Sequence, residues 1–158
     1  MDYKIRKISE EEYGLLEIFL YEAIFVPEGM SAPPKSIIDQ PELKVYITDF
    51  GKKQDDIGLV AEVDKEAVGA VWVRIMNDYG HIDNETPSFA ISVHEDYRGL
   101  GIGTALMKEM LRILNEKGYK QASLAVQKAN YAVQMYKKMG FEVVDEDEEE
   151  YIMLCRLK

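Results

Sequence analysis

At 158 residues, 47% hydrophobic and 30% charged, the chain has the size and balance of one globular domain that buries roughly two-thirds of its unfolded surface. A formal charge of −10, with no stripe of Lys and Arg interleaved with aromatics, argues against a nucleic-acid partner. The lone cysteine, Cys155, allows no internal disulfide, and no Cys/His cluster has metal-ligand spacing, so neither zinc nor any other metal is expected and a reducing, cytoplasmic setting is the simplest reading.

The first residues lack the apolar core of a signal peptide. The apolar stretch over 15–26 is too short to cross a bilayer and carries Glu17 and Glu22, so no membrane association is expected. No internal repeat or low-complexity linker divides the sequence, and a single domain over 1–158 follows.

Residues 3–8 alternate sides as a strand, and Ser9 with Glu12 spells a capping box that opens a helix. Leu15, Phe19 and Ala23, flanked by Leu16, Leu20 and Ile24, give that helix one apolar face, which ends before Pro27. The Pro- and Gly-containing stretch 27–34 breaks regular structure. Leu43, Ile47 and Phe50 then predict a second, shorter helix over 41–50. Two β-rich runs, 57–63 and 67–75, flank Asp64-Lys65-Glu66 and read as a hairpin. A polar loop over 77–86, which holds His81, leads to a strand over 87–93.

After the glycine-rich stretch that follows, Leu106, Met110, Ile113 and Leu114 mark a helix over 104–117, closed by Lys117 and Gly118. A buried strand over 122–126 precedes Asn130, which can cap a helix carrying Val133, Tyr136 and Met139 up to Gly140. Strands over 141–144 and 151–157 finish the chain across six consecutive carboxylates, 145–150, which read as a solvated turn rather than a metal site. Hairpins followed by strand-helix-strand-helix-strand-strand predict an α/β sandwich on a mixed sheet.

The most informative run is the junction between the strand over 87–93 and the helix over 104–117. Gly99, Gly101 and Gly103 let the backbone adopt unusual dihedrals and approach a ligand closely, while the first N–H groups of the helix face outward. This is an anion cradle suited to phosphate. Two familiar phosphate motifs fail here. The Walker pattern lacks its Lys-Ser/Thr pair. The dinucleotide pattern would need glycine at Thr104 or Leu106.

The spacing of Arg98, Gly101 and Gly103 resembles the pyrophosphate loop of the GNAT acetyltransferase superfamily. Asn130, Ala132, Tyr136, Gly140 and Phe141 resemble that family's second signature helix, and the order of elements matches over nearly the whole chain. The resemblance implies a GNAT-like fold: a mixed, mostly antiparallel twisted sheet of about six to seven strands flanked by about four helices. It also implies that backbone groups of Ile91 and Val93 pair with the pantetheine arm of acetyl-CoA across a gap beside the strand at 122–126. Arg98, Gly99, Leu100, Gly101, Ile102, Gly103 and Thr104 would surround the pyrophosphate.

Asn130 is implied as a cofactor contact, a role compatible with capping. Tyr136 is implied as the general acid that protonates the departing thiolate. The activity implied is direct acetyl transfer to a primary amine of a small molecule, peptide or protein, with the oxyanion met by a backbone donor such as the Val93 N–H. For the base, Glu85 is the preferred residue, with His81 and Asp83 as alternatives. The segment 28–34, with Trp72 and Tyr79, is a candidate lining for the acceptor pocket, although Trp72 reads as core before lining, and Cys155 reads as core rather than nucleophile. A non-catalytic acyl-CoA-binding or sensing module is the alternative function, and a nucleotide-binding domain a weaker third. Oligomeric state is open, a homodimer included.

Overall fold

The computed structural model describes residues 2–76 and 81–158. Its strands are β1 (Lys4–Lys7), β2 (Ile57–Val63), β3 (Glu66–Arg74), β4 (Ser88–Val93), β5 (Gln121–Gln127), β6 (Phe141–Glu146) and β7 (Glu150–Arg156). Its helices are α1 (Leu15–Ala23), α2 (Pro41–Lys44), α3 (Ile102–Glu116) and α4 (Ala132–Lys138). The strands form one seven-stranded sheet in the order β1-β2-β3-β4-β5-β7-β6. Every neighbouring pair is antiparallel except β4 and β5. The expected mixed, mostly antiparallel sheet with four helices is therefore what the chain builds.

Both faces of the central strands are buried, and their period of two sorts side chains between two cores. Leu59, Ala61, Val71, Val73 and Phe89 face α3, which contributes Leu106, Met110 and Leu114. Val60, Ala70 and Trp72 face α1, which contributes Leu16, Phe19 and Leu20. The hairpin turns through Asp64 and Lys65, both with positive φ (49° and 71°), a backbone that suits the twist of a two-residue hairpin loop but is strained for these side chains.

Two elements differ from expectation. The capping box forms, with Ser9 N–H and Oγ both donating to Glu12 Oε1 at 3.0 Å, but it opens only a short 3-10 turn (Glu10–Glu12) before α1 starts at Leu15. Glu12 is held from outside the turn, because Arg6 of β1 forks onto its carboxylate at 2.7 and 2.8 Å. The helix expected over 41–50 is regular only through Lys44, and a 3-10 turn (Lys35–Asp39) precedes it. Carbonyl groups beyond Lys44 are drawn toward the sheet. Arg74 Nη1 donates to Val45 O and Thr48 O at 3.1 and 2.8 Å, and Trp72 Nε1 donates to Tyr46 O at 3.0 Å.

Arg74 is itself buried and paired with the fully buried Asp56 carboxylate at 3.1 Å, which pins this irregular segment to β3. Asp147 closes the acidic turn by accepting from the N–H groups of Glu149 and Glu150 at 2.8 and 2.7 Å. Among the described residues no helix is long and apolar enough to cross a membrane.

Candidate functional site

β4 and β5 lie side by side for a single registered pair, Ser88 opposite Ser123, with Ser123 N–H donating to Pro87 O at 2.9 Å. Beyond that pair the strands diverge. In the antiparallel ladder with β3, His94 N–H donates to Val68 O at 2.8 Å, which places His94, Ser92 and Ala90 in the bonded positions. The backbone groups of Phe89, Ile91 and Val93 therefore turn the other way, toward the widening space beside β5. Parallel pairing stops where these two strands part, leaving a row of donors and acceptors in mid-sheet.

A 3-10 turn (Glu95–Tyr97) carries the chain from this edge into the glycine loop. Gly99 and Gly101 have φ of 77° and 85°, left-handed conformations that an L side chain resists. Gly101 leads directly into α3. No side chain caps this helix, and its first closing bond runs from Ala105 N–H to Gly101 O at 3.0 Å. The N–H groups of Ile102, Gly103 and Thr104 thus have no acceptor within the helix, and a helix of 15 residues concentrates partial positive charge at them. Arg98 lies beside them, exposed, with Nε donating to Val93 O at 2.9 Å.

The splayed edge and the helix start open into one cleft of about 860 Å³. Ile91, Val93, Arg98, Gly99, Gly101, Ile102, Gly103, Thr104, Asn130 and Tyr136 all line it, whereas Leu100 is exposed and is not among the lining residues. Asn130 Oδ1 accepts from Ala132 N–H at 2.9 Å, so it fastens the start of α4 while facing the cleft. Tyr136 is 7% exposed, packs against Phe141 with ring centroids 6.0 Å apart, and its hydroxyl has no hydrogen-bond partner among the described residues. Burial first, and the neighbouring Tyr131 second, push its phenol up to about 12.

The residues singled out as bases are not brought here. Glu85 is exposed and precedes β4, at the opposite end of that strand from Val93. Asp83 accepts from Thr86 Oγ1 and Glu85 N–H at 2.7 and 2.8 Å, bonds that hold its carboxyl below the usual range. His81 Nδ1 lies 2.8 Å from Met76 O. None of the three lines the cleft. Trp72 is fully buried in the core, Tyr79 lies outside the described residues, and of the 28–34 segment Ala32 and Pro33 reach the cleft wall. Burial pushes the Cys155 thiol up, as befits a core residue rather than a nucleophile. Among the described residues no cluster of three or more His, Cys, Asp or Glu is arranged to hold a metal ion.

The cleft contains a pair that sequence reasoning missed. His94, directly after Val93, meets Glu22 of α1 through Nδ1, 2.8 Å from Oε2 and closer still to Oε1, and its ring stacks on Phe19 at 5.0 Å. The two residues are 72 positions apart, and no local pattern joins them.

Comparison with known proteins agrees with this geometry. The chain is 39% identical over 91 residues to an acetyltransferase of Pectobacterium atrosepticum, and the match covers 57% of this chain and 60% of that one. It is 32% identical over 108 residues to an N-alpha-acetyltransferase of Sulfurisphaera tokodaii, covering 63% of this chain and 64% of the relative. The chain thus spans under two-thirds of the length of these relatives. Its fold matches the PaiA N-acetyltransferase of Thermoplasma acidophilum, solved in complex with coenzyme A, with a TM-score of 0.73 and 23% identity over 99% of both chains. The family model of the acetyltransferase (GNAT) family matches residues 21–141, most of the described cleft included, and the chain belongs to that family.

Proposed function

We propose that the protein transfers the acetyl group of acetyl-CoA directly to a primary amine of a small molecule or peptide. One observation carries the reading: the uncapped start of α3, the edge of β4 beside β5 and Tyr136 all line the same cleft. Acetyl-CoA is a diphosphate joined to a chain of amides that ends in a thioester. The N–H groups of Ile102, Gly103 and Thr104, with Arg98, suit the diphosphate. The backbones of Ile91 and Val93 suit the amides, which would continue the sheet as an added strand. Asn130 holds the wall opposite.

Catalysis in this reading consists chiefly of placement. Holding amine and thioester in contact contributes several kcal/mol, and a backbone donor such as the Val93 N–H, aimed at the developing oxyanion, contributes about 3 kcal/mol. Tyr136 keeps its proton at neutral pH and gives it to the departing thiolate, whose own basicity rises in the same dry surroundings. The N-alpha-acetyltransferase relative and the neighbour solved with coenzyme A support this choice of donor and reaction.

Incubation with acetyl-CoA and a panel of primary amines, read by release of free thiol, tests the proposal. Amine-dependent release is expected. Tight CoA binding without turnover on any amine favours a non-catalytic acyl-CoA-binding module, and ATP or NAD binding that CoA does not displace favours a nucleotide-binding domain.

A further inference from the structure

We infer that Tyr131 is the platform on which the adenine of the acyl donor stacks, and thus the residue by which this protein prefers a nucleotide-bearing donor to a bare phosphopantetheine arm. The inference rests on the acetyl-CoA reading above and extends it to the end of the donor that takes no part in the chemistry.

Tyr131 is 77% exposed, the most exposed large apolar or aromatic side chain among the described residues, yet it stands in the wall of the cleft. A lone exposed aromatic is ordinary on a protein surface. Its position sets this one apart. With φ and ψ of −61° and −21°, Tyr131 already has helical backbone, so it shares a face with Met135, one turn further along α4. Met135 Sδ lies 3.9 Å from the place a Cβ would take on Gly103, which brings that turn of α4 against the start of α3. Tyr136 follows, buried against Phe141, whose ring also meets Phe89 of β4 with centroids 5.8 Å apart. α4 therefore runs from the mouth of the cleft to its floor, with Tyr131 outermost, Met135 beside the anion cradle and Tyr136 innermost.

The donor has the same order. CoA runs from thiol through the amide arm and the diphosphate to ribose and adenine. The diphosphate belongs at the N–H groups of Ile102, Gly103 and Thr104, and the arm leaves it along Val93 toward Ile91. The nucleotide leaves on the other side, toward the mouth. Four residues of helix separate Tyr131 from Met135, about 6 Å, a step that a ribose spans.

The chemistry of the wall fits a base. The Tyr131 ring pairs with no other aromatic and its hydroxyl has no hydrogen-bond partner among the described residues, so nothing on the protein competes for the ring. Its phenol is near enough to Tyr136 to act on that group, which keeps the ring on the cleft side. Arg98 is the one Lys or Arg lining the cleft among the described residues, and Glu22, Glu95 and Asp96 line it as well. Beyond the diphosphate the cleft thus offers the nucleotide stacking rather than positive charge, and stacking on an aromatic face needs no hydrogen-bond readout of the base.

The test measures binding of CoA, 4′-phosphopantetheine and adenosine 3′,5′-bisphosphate to wild type, Tyr131→Ala and Tyr131→Phe by calorimetry. Tyr131→Ala is expected to bind CoA about 5- to 100-fold more weakly, Tyr131→Phe to keep wild-type affinity, and phosphopantetheine to bind all three alike. The loss in Tyr131→Ala should persist at high salt, unlike that of a variant lacking the Arg98 charge. Tyr131→Trp gives an optical readout that general weakening of the cleft would not move: its emission should be quenched by CoA and by the bisphosphate, and not by phosphopantetheine. Wild-type CoA affinity in Tyr131→Ala, an equal loss toward phosphopantetheine, or no quenching of Tyr131→Trp by CoA overturns the platform and leaves the transferase reading standing. Failure of wild type to bind CoA overturns both.

Discussion

The guanidinium of Arg98 is anchored by one nitrogen to the carbonyl oxygen of Val93, at 2.9 Å, so the last residue of β4 sets where the cation of the glycine loop sits. Both Nη groups are left for an anion, since no hydrogen bond or ion pair engages them among the described residues. Arg98→Gln removes the charge and the fork together. CoA affinity is expected to fall about 10- to 100-fold by calorimetry, corresponding to a charged hydrogen-bond contribution of about 1.5–3 kcal/mol, with a weaker salt dependence than wild type.

Tyr136→Phe separates chemistry from packing. The hydroxyl has no hydrogen-bond partner among the described residues, so thermal stability should stay within about 0.5 kcal/mol of wild type, while kcat falls about 100-fold or more with CoA affinity kept. With the phenol pushed up to about 12, Tyr136 should cause no loss of kcat on the alkaline side below about pH 10. A pH-rate profile of wild type beside the variant checks both statements.

Glu12 predicts an acid limb in stability. The Arg6 guanidinium forked onto its carboxylate, with help from Ser9, pushes it down to about 2. A folded value below the unfolded one stabilises the protein above the unfolded value, near 4.5, and the contribution is lost as pH falls toward 2. Arg6 is about one-third exposed, so solvent screening reduces the gain to about 1–2 kcal/mol. Urea midpoints measured from pH 6 to pH 2 should therefore drop less for Glu12→Gln than for wild type.

Arg74→Met should be among the most damaging single changes outside the cleft. It leaves the buried Asp56 carboxylate without its partner and frees the carbonyls of Val45 and Thr48. A loss of about 3–5 kcal/mol is expected, read as a fall of roughly 10 °C or more in Tm.

The hairpin between β2 and β3 offers the opposite sign. Lys65 holds a φ of 71° without being glycine, and Lys65→Gly relieves that strain. A stability gain of about 0.5–1 kcal/mol is expected in denaturant melts, with no change in CoA affinity, because neither Asp64 nor Lys65 lines the cleft.

What could be read from the sequence divides along physical lines. Leu106, Met110 and Leu114 repeat at helical spacing, and Gly99, Gly101 and Gly103 break it, so α3 and its loop are visible without any tertiary information. The same holds for the hairpin, whose alternation spans both strands. The helix over 41–50 misled because its carbonyls answer to Arg74 and Trp72, residues of a strand that local periodicity does not see. Glu85 is near the strand before the loop in sequence, and it stands at the end of that strand away from Val93. Glu22 approaches from α1, and only the packing of Phe19 on the sheet brings it to His94.

The single rung between Ser88 and Ser123 has a mechanical consequence. Among the described residues it is the one registered backbone pair between the four-stranded half of the sheet, β1 to β4, and the three-stranded half, β5 to β7; side-chain bonds between Ser88 and Ser123 and from Gln121 to Thr86 stand beside it, and further coupling comes from side chains packed under α3 and α4. The seam with the fewest registered backbone pairs is therefore also where β4 has backbone groups to spare. An occupant that spans the seam staples two subassemblies into one cooperative unit, and slowed amide exchange in β5 and β7, far from any direct contact, would be its signature.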